Sequence, residues 1–155
     1  IATWKPETLI LVGDIVDSRA APSEAIAWLR EIETLCPELI LVEGNHDRGQ
    51  VKRHFPFLPS YQSGDFFFHH GHEKPEVTGK IEITGHLHPS TRFNDGAGTS
   101  LKLPTFTREL IGNGREKWVL PAFSPWAGGH PADSGDASNP YHRWACGKER
   151  VFEIA

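Results

Sequence analysis

The sequence has no methionine and only two cysteines. The lack of methionine bears on where the encoded protein begins, and the scarcity of cysteine bears on disulfides and zinc sites. Cys36 and Cys146 have no paired spacing, so we expect neither a disulfide framework nor a cysteine-rich zinc site. A reduced compartment, the cytoplasm, agrees with this use of cysteine. Because Ile1 is not a translation start, we expect a segment of the encoded protein to precede it.

Long apolar runs and an excess of positive charge are also lacking. No apolar run approaches the length of a membrane span and no signal-peptide pattern opens the chain, so no membrane partner is expected. The formal net charge of −4 argues against a general surface for nucleic acid. With 155 residues, residues 1–155 are predicted to form a single domain with a core of its own.

Hydrophobic periodicity predicts an α/β fold. The apolar runs at 9–12 and 39–42 are typical of strands buried on both faces, and apolar residues at helical spacing fill 24–35 between them. This order predicts a parallel strand–helix–strand crossover. The remaining pattern predicts a short helix at 49–55 and strands at 66–68, 80–84, 91–93, 100–103, 105–108, 117–121 and 150–154.

A stretch at 124–140 is dominated by Gly, Pro and small polar residues, with Trp126 as its one large side chain. This composition predicts a long loop. The loop is interpreted either as plain surface structure or as a wall over a functional site.

Side chains that bind metals or transfer protons follow the apolar runs. They lie in four motifs: Gly13-Asp14-Ile15-Val16-Asp17, Gly44-Asn45-His46-Asp47, His69-His70-Gly71-His72 and Gly85-His86-Leu87-His88. Any one of these motifs alone is more often an ordinary turn. Because ligands bind at the carboxyl ends of parallel strands, the four together indicate one site. Carboxylate, amide and imidazole ligands suit Mn²⁺, Fe²⁺ or Zn²⁺ better than Ca²⁺.

The four motifs resemble those of the calcineurin-like metallophosphoesterase superfamily. The resemblance implies a four-layer α/β/β/α sandwich of two mixed sheets. The family's first motif, Asp-x-His, has no counterpart in residues 1–12, which contain neither Asp nor His. Either the chain lacks an N-terminal segment that would supply this motif and the first strand, as we expect, or the protein has lost the metal that the motif binds.

The resemblance also assigns roles to single residues. It implies that Asp14 bridges two metals, that Asn45, His70 and His86 bind one of them, and that His88 binds the other. It makes His46 the proton donor to the leaving oxygen and Asp17 the carboxylate that orients His46. His70 is preferred over His69 and His72 as the ligand because it directly precedes Gly71.

These roles imply an enzyme that uses two divalent metal ions, foremost Mn²⁺, with Fe, Zn or Mg as alternatives. The expected reaction is hydrolysis of a phosphodiester or phosphomonoester, related to nucleotides or to nucleic acid. Motifs after residue 88, including Leu103-Pro104-Thr105-Phe106 and Leu120-Pro121-Ala122-Phe123, resemble the bacterial DNA-ligase-associated subgroup. Its expected partners are a phosphorylated small molecule or a nucleic-acid end, together with DNA-repair proteins.

Two other functions remain open from the sequence. The missing first motif is compatible with a catalytically impaired scaffold that binds proteins. A mononuclear metal hydrolase of another reaction class is a third interpretation. The sequence gives no indication of the oligomeric state.

Overall fold

The computed structural model describes residues 1, 3–16, 22–47, 49–124, 127–132 and 140–154. Within these residues the chain is a mixed α/β protein with two sheets and two helices, which confirms the predicted fold class. The chain divides into two compact units. The first unit contains Ile1–Gln62 and Phe68–Pro75, and the second contains Ser63–Phe67 and Glu76–Ala155.

The first unit is built on the predicted crossover. Strand β1 (Thr8–Val12), helix α1 (Pro22–Glu33) and strand β2 (Glu38–Val42) follow one another, and the two strands pair in parallel. Val12 lies opposite Val42, so both strands end at the same edge of their sheet. The loops that leave this edge carry two of the four motifs.

Helix α1 covers the small sheet through one apolar face. Leu29 on this face is fully buried and belongs to a cluster whose other buried members are Val16, Leu41, Val51 and Phe55. Helix α2 (Val51–His54) contributes to this core, and strands β3 (Ser60–Ser63) and β4 (Phe66–His69) follow it. Among the described residues, neither helix is long and apolar enough to cross a membrane.

The second unit contains the larger part of the second sheet. Its strands are β5 (Ile81–Thr84), β6 (Pro89–Asn94), β7 (Ser100–Leu110), β8 (Glu116–Val119), β9 (His130–Pro131), β10 (Tyr141–Cys146) and β11 (Val151–Ile154). The strand order from the edge is β11-β10-β7-β8-β5-β4, and β6 pairs with both β7 and β9. Strand β5 pairs with β8 in the parallel direction, in the middle of the sheet.

Two predictions in this region differ from the structure, and strand β10 was not predicted. The two strands predicted at 100–103 and 105–108 form one strand, β7. Pro104 does not interrupt it, since Pro104 lies where the strand changes its pairing partner from β6 to β10. The predicted loop at 124–140 contains strand β9, whereas residues 125–126, with Trp126, and 133–139 lie outside the described residues. Strand β10 was missed because its two faces both carry bulky or polar side chains.

Hydrogen bonds to the Glu116 carboxylate on β8 predict how the stability of the fold depends on pH. The Arg108 guanidinium and the Trp118 indole N–H both donate to the Glu116 carboxylate, and the bond from Arg108, followed by that from Trp118, lowers its pKa below the usual 4.5. A lowered pKa stabilises the fold above the unfolded-state value and is lost as pH falls through the folded-state value. The difference in thermal midpoint between wild type and Glu116→Gln should therefore shrink below pH 4.5. A difference independent of pH would contradict this assignment.

Candidate metal centre

Asp14 lies in a strained turn at the end of β1. Gly13 and Asp14 both have positive φ angles, of 75° and 50°, so the chain turns sharply two residues after the strand. A left-handed conformation is uncommon for a residue with a side chain and has to be held by its surroundings. The turn presents the Asp14 carboxylate at the edge where β1 and β2 both end.

His70 meets this carboxylate directly. Its Nε2 atom lies 3.0 Å from Asp14 Oδ2, and its Nδ1 atom lies 3.0 Å from the Val12 carbonyl oxygen. The His70 side chain is 1% exposed and the Asp14 side chain is 16% exposed. His70 is therefore anchored through Nδ1, with Nε2 directed at Asp14, in a nearly water-free position immediately after β4.

The contact with Val12 determines where the imidazole carries a proton. A carbonyl oxygen only accepts hydrogen bonds, so Nδ1 must carry a hydrogen and donate it. In the neutral ring, Nε2 then has a lone pair that faces a carboxylate oxygen at 3.0 Å. A cation held by both atoms would remove this repulsion, and metal-binding histidines commonly donate their other N–H to a backbone carbonyl. Asp14 and His70 thus fit the oxygen and nitrogen donors of a divalent metal.

The turn after β2 packs closely against Asp14. The His46 backbone N–H donates to Asp14 Oδ1 at 2.9 Å. A Cβ atom on Gly44 would lie 2.2 Å from both the nitrogen and Oδ1 of Asp14, so only glycine permits this approach. The side-chain oxygen of Asn45 is buried here, whereas His46 is exposed. The structure therefore brings Asp14, Asn45, His46 and His70 together in the first unit.

Asp47 joins the two loops from within. It is 2% exposed, and its carboxylate accepts backbone N–H bonds from Ile15 at 2.9 Å, Val16 at 3.0 Å and Gly44 at 2.9 Å. Burial raises the pKa of Asp47 above the usual 3.8, against the lowering effect of these three bonds, and the Asp14 charge adds a smaller increase. No role for Asp47 was predicted from the sequence, although its position at the end of the motif was the available signal.

His86 and His88 belong to the second unit, in the turn that follows β5. Both have positive φ angles, of 59° and 46°. The His88 carbonyl accepts the His130 N–H at 3.0 Å. Gly129 lies close by with a φ angle of 65°, and a Cβ atom added there would lie 2.9 Å from the Ser90 hydroxyl oxygen and 3.1 Å from the His88 carbonyl oxygen. Strand β9 therefore braces the backbone of His88 from one side.

Backbone strain coincides with the predicted ligands. Among the described residues other than glycine, five have positive φ: Lys5, Asp14, His86, His88 and Asn113. Three of these five are predicted metal ligands. Such conformations cost about 1–3 kcal/mol each and persist where the surrounding structure enforces them, which is common at functional sites.

Two assignments from the sequence need a separate statement. Asp17, predicted to orient His46, lies outside the described residues. Within the 69–72 run, the ring of His70 is the one that faces Asp14, while His69 is buried and His72 is exposed with its ring centroid 5.4 Å from that of His70. The roles assigned to the single residues stay predictions.

Three solved structures are similar to this chain at low sequence identity. Vps29 from Entamoeba histolytica, solved as a single mutant, has 17% identity and a TM-score of 0.47, and the match covers 99% of this chain and 83% of that one. A double mutant of the same protein gives 15% identity and a TM-score of 0.48, with the same coverage. Vacuolar Protein Sorting 29 from Cryptosporidium parvum gives 14% identity and a TM-score of 0.44, with coverage of 95% and 94%.

The family comparison is the decisive one. No curated protein matches the sequence significantly. The model of the calcineurin-like phosphoesterase family, whose members bind divalent metals, matches residues 1–149, nearly the whole chain. The motifs identified from the sequence all lie within this match, which confirms the predicted superfamily. The chain therefore belongs to the calcineurin-like phosphoesterase family.

Proposed function

We propose that this protein is a metal-dependent phosphoesterase that hydrolyses a phosphodiester or a phosphomonoester. The family supports phosphoester hydrolysis in general. The observation that carries the proposal is the approach of His70 Nε2 to Asp14 Oδ2 at 3.0 Å, with the opposite ring nitrogen against the Val12 carbonyl. This arrangement leaves a nitrogen and an oxygen donor facing one position, as a bound cation requires.

The proposed ligand set follows the resemblance. On this resemblance Asp14 would hold both ions, Asn45, His70 and His86 would hold one of them, and His88 would hold the other. Mn²⁺ is the proposed metal, since mixed nitrogen and oxygen donors suit it. When bound, the two ions supply positive charge that activates a water molecule and neutralises the phosphoryl oxygens.

His46 is the proposed proton donor to the leaving oxygen. Its exposed side chain is free to approach a substrate, while its backbone is tied to Asp14. As the oxygen of a water molecule bonds to phosphorus and that water gives up a proton to solvent, the bond to the leaving oxygen breaks. The His46 imidazolium gives the leaving oxygen its proton and is then protonated again from solvent. Asp17 is proposed to hold the imidazole in its protonated form.

We further propose a cytoplasmic role in nucleotide or nucleic-acid metabolism, on the resemblance to the DNA-ligase-associated subgroup. The net charge of −4 disfavours tight unaided binding to DNA, because affinity for DNA comes largely from cations that contact phosphates. A small nucleotide, or a DNA end presented by a repair protein, is therefore the proposed substrate.

Replacing His46 by alanine should lower the rate of hydrolysis in full-length protein. With bis-p-nitrophenyl phosphate and Mn²⁺, we expect kcat to fall by about 10²-fold, the usual contribution of a general acid. The loss should be greater for an alkyl ester, because an alkoxide needs the proton more than p-nitrophenolate does.

His142→Ala is the matched control. His142 is another partly exposed histidine, paired with Glu153 at 3.0 Å in the second unit, and its loss should leave the rate unchanged. Equal rates for wild type and His46→Ala, with both ester types, would reject the proposed acid. If the wild-type protein hydrolyses no phosphoester, the scaffold interpretation gains support instead.

A further inference from the structure

We propose that Asp47 is a positioning residue that fixes the two ligand-bearing loops of the first unit in the geometry needed for metal binding. The inference rests on the proposed function only in that the loops bind a divalent metal. Its basis is one buried carboxylate that accepts three backbone N–H bonds from two separate loops. No side chain of the proposed ligand set makes these bonds.

The two loops are tied to each other in both directions. Asp47, at the end of the loop after β2, holds the N–H groups of Ile15 and Val16 in the loop after β1. Asp14, in the loop after β1, accepts the N–H of His46 in the loop after β2 at 2.9 Å. The two carboxylates thus brace the loops reciprocally, and a shift of one loop moves the donor atoms of the other.

The bonds to Asp47 fall where the strain is. Asp14 has a φ angle of 50°, and Ile15 and Val16 follow it directly. Both N–H groups lie beyond the end of β1 and donate to Asp47 Oδ1, and the Gly44 N–H, beyond the end of β2, donates to Oδ2. Asp47 therefore stabilises the turn that aims the Asp14 carboxylate at His70, and its loss frees that turn to relax.

Mn²⁺ binding to the full-length protein, measured by titration calorimetry, tests this inference. Asp47→Asn preserves size, but its amide nitrogen is a donor and opposes a backbone N–H that now has no acceptor. We expect Mn²⁺ to bind about 10–100-fold more weakly, as is usual when a group that orients ligands is removed. Asp95→Asn is the matched control: Asp95 accepts the N–H groups of Ala97 and Thr99 in an exposed turn, and Mn²⁺ affinity should not change.

Hydrogen exchange in the wild-type protein gives a second test that does not depend on the folding of a variant. If opening of the loops abolishes metal binding, Mn²⁺ at about 100 times its Kd should slow exchange of the Ile15, Val16 and Gly44 amides by about 100-fold. The amides of Ala97 and Thr99, held by Asp95 in the same way, should exchange at an unchanged rate.

Each outcome bears on the inference. The inference is overturned if a folded Asp47→Asn protein binds Mn²⁺ as tightly as wild type. It is also overturned if Mn²⁺ leaves the exchange rates of the three amides unchanged. Weaker binding in Asp47→Asn and slowed exchange support it. If these two results are obtained but the wild-type protein hydrolyses no phosphoester, the proposed function fails and the positioning role of Asp47 stands.

Discussion

Asp14→Asn should lower Mn²⁺-dependent hydrolysis of bis-p-nitrophenyl phosphate by about 10³-fold, a loss typical of removing one principal electrostatic group from an active site. The physical reason lies in the contact with His70. The substitution removes the negative charge and places an amide group 3.0 Å from His70 Nε2. Two donors of the proposed metal centre are therefore lost by one change.

The same substitution should leave the metal-free protein as stable as wild type or more stable. In the variant, the amide Nδ2–H donates to the lone pair of His70 Nε2, whereas in the metal-free wild type a carboxylate oxygen faces that atom. The amide oxygen still accepts the His46 N–H. Improved stability with lost activity is the usual sign of a site whose groups are arranged for a ligand and not for the fold.

Three measurements on Asp14→Asn check these expectations: the rate with Mn²⁺, Mn²⁺ binding by calorimetry, and the thermal midpoint in the presence of a chelator. Asp65→Asn is the control, since Asp65 is an exposed carboxylate that pairs with Lys80 at 3.1 Å. Undiminished Mn²⁺ binding in Asp14→Asn would remove Asp14 from the metal centre. A large drop in the chelated protein's midpoint would mean that the contact between Asp14 and His70 stabilises the fold without metal.

The sequence predicted the frame of the candidate site because that frame depends on side-chain periodicity. Two buried four-residue apolar runs, separated by a stretch with helical period, indicate a parallel crossover, and such a crossover brings two carboxyl ends to one edge. The positions of Asp14 and Asn45 in the first unit follow from this alone. The resemblance of the four motifs to those of the metallophosphoesterases then implied which side chains would bind metal.

What the sequence did not reveal depends mostly on backbone groups, which every residue carries. The Val12 carbonyl sets the tautomer of His70. The backbone N–H groups of Ile15, Val16 and Gly44 donate the hydrogen bonds through which Asp47 holds the two loops. No residue type marks these contacts in advance. Two strands were predicted in place of β7, since proline usually interrupts a strand. The change of strand partner at Pro104 has no signature in the local sequence.

Gly13→Ala should destabilise the protein by about 3 kcal/mol, the combined effect of a left-handed backbone and an overpacked position. Gly13 has a φ angle of 75°, and an added Cβ would lie 2.2 Å from Nδ1 and 2.4 Å from Cγ of His70. The ring has no room to move away, because it is 1% exposed and its Nδ1 atom is held by the Val12 carbonyl. Either the loop after β1 or the imidazole has to shift, and Mn²⁺ affinity should fall with it.

Gly49→Ala separates the two causes. Gly49 has the same φ angle of 75°, but an added Cβ there meets no atom within 4 Å. This variant should lose only the conformational term, about 1 kcal/mol in urea unfolding, and should bind Mn²⁺ normally. Because the backbone cost is matched, the excess loss in Gly13→Ala measures the contact with His70. Equal losses in the two variants would show that the His70 ring is not fixed against Gly13, and the metal centre would then lack the rigid imidazole on which its geometry depends.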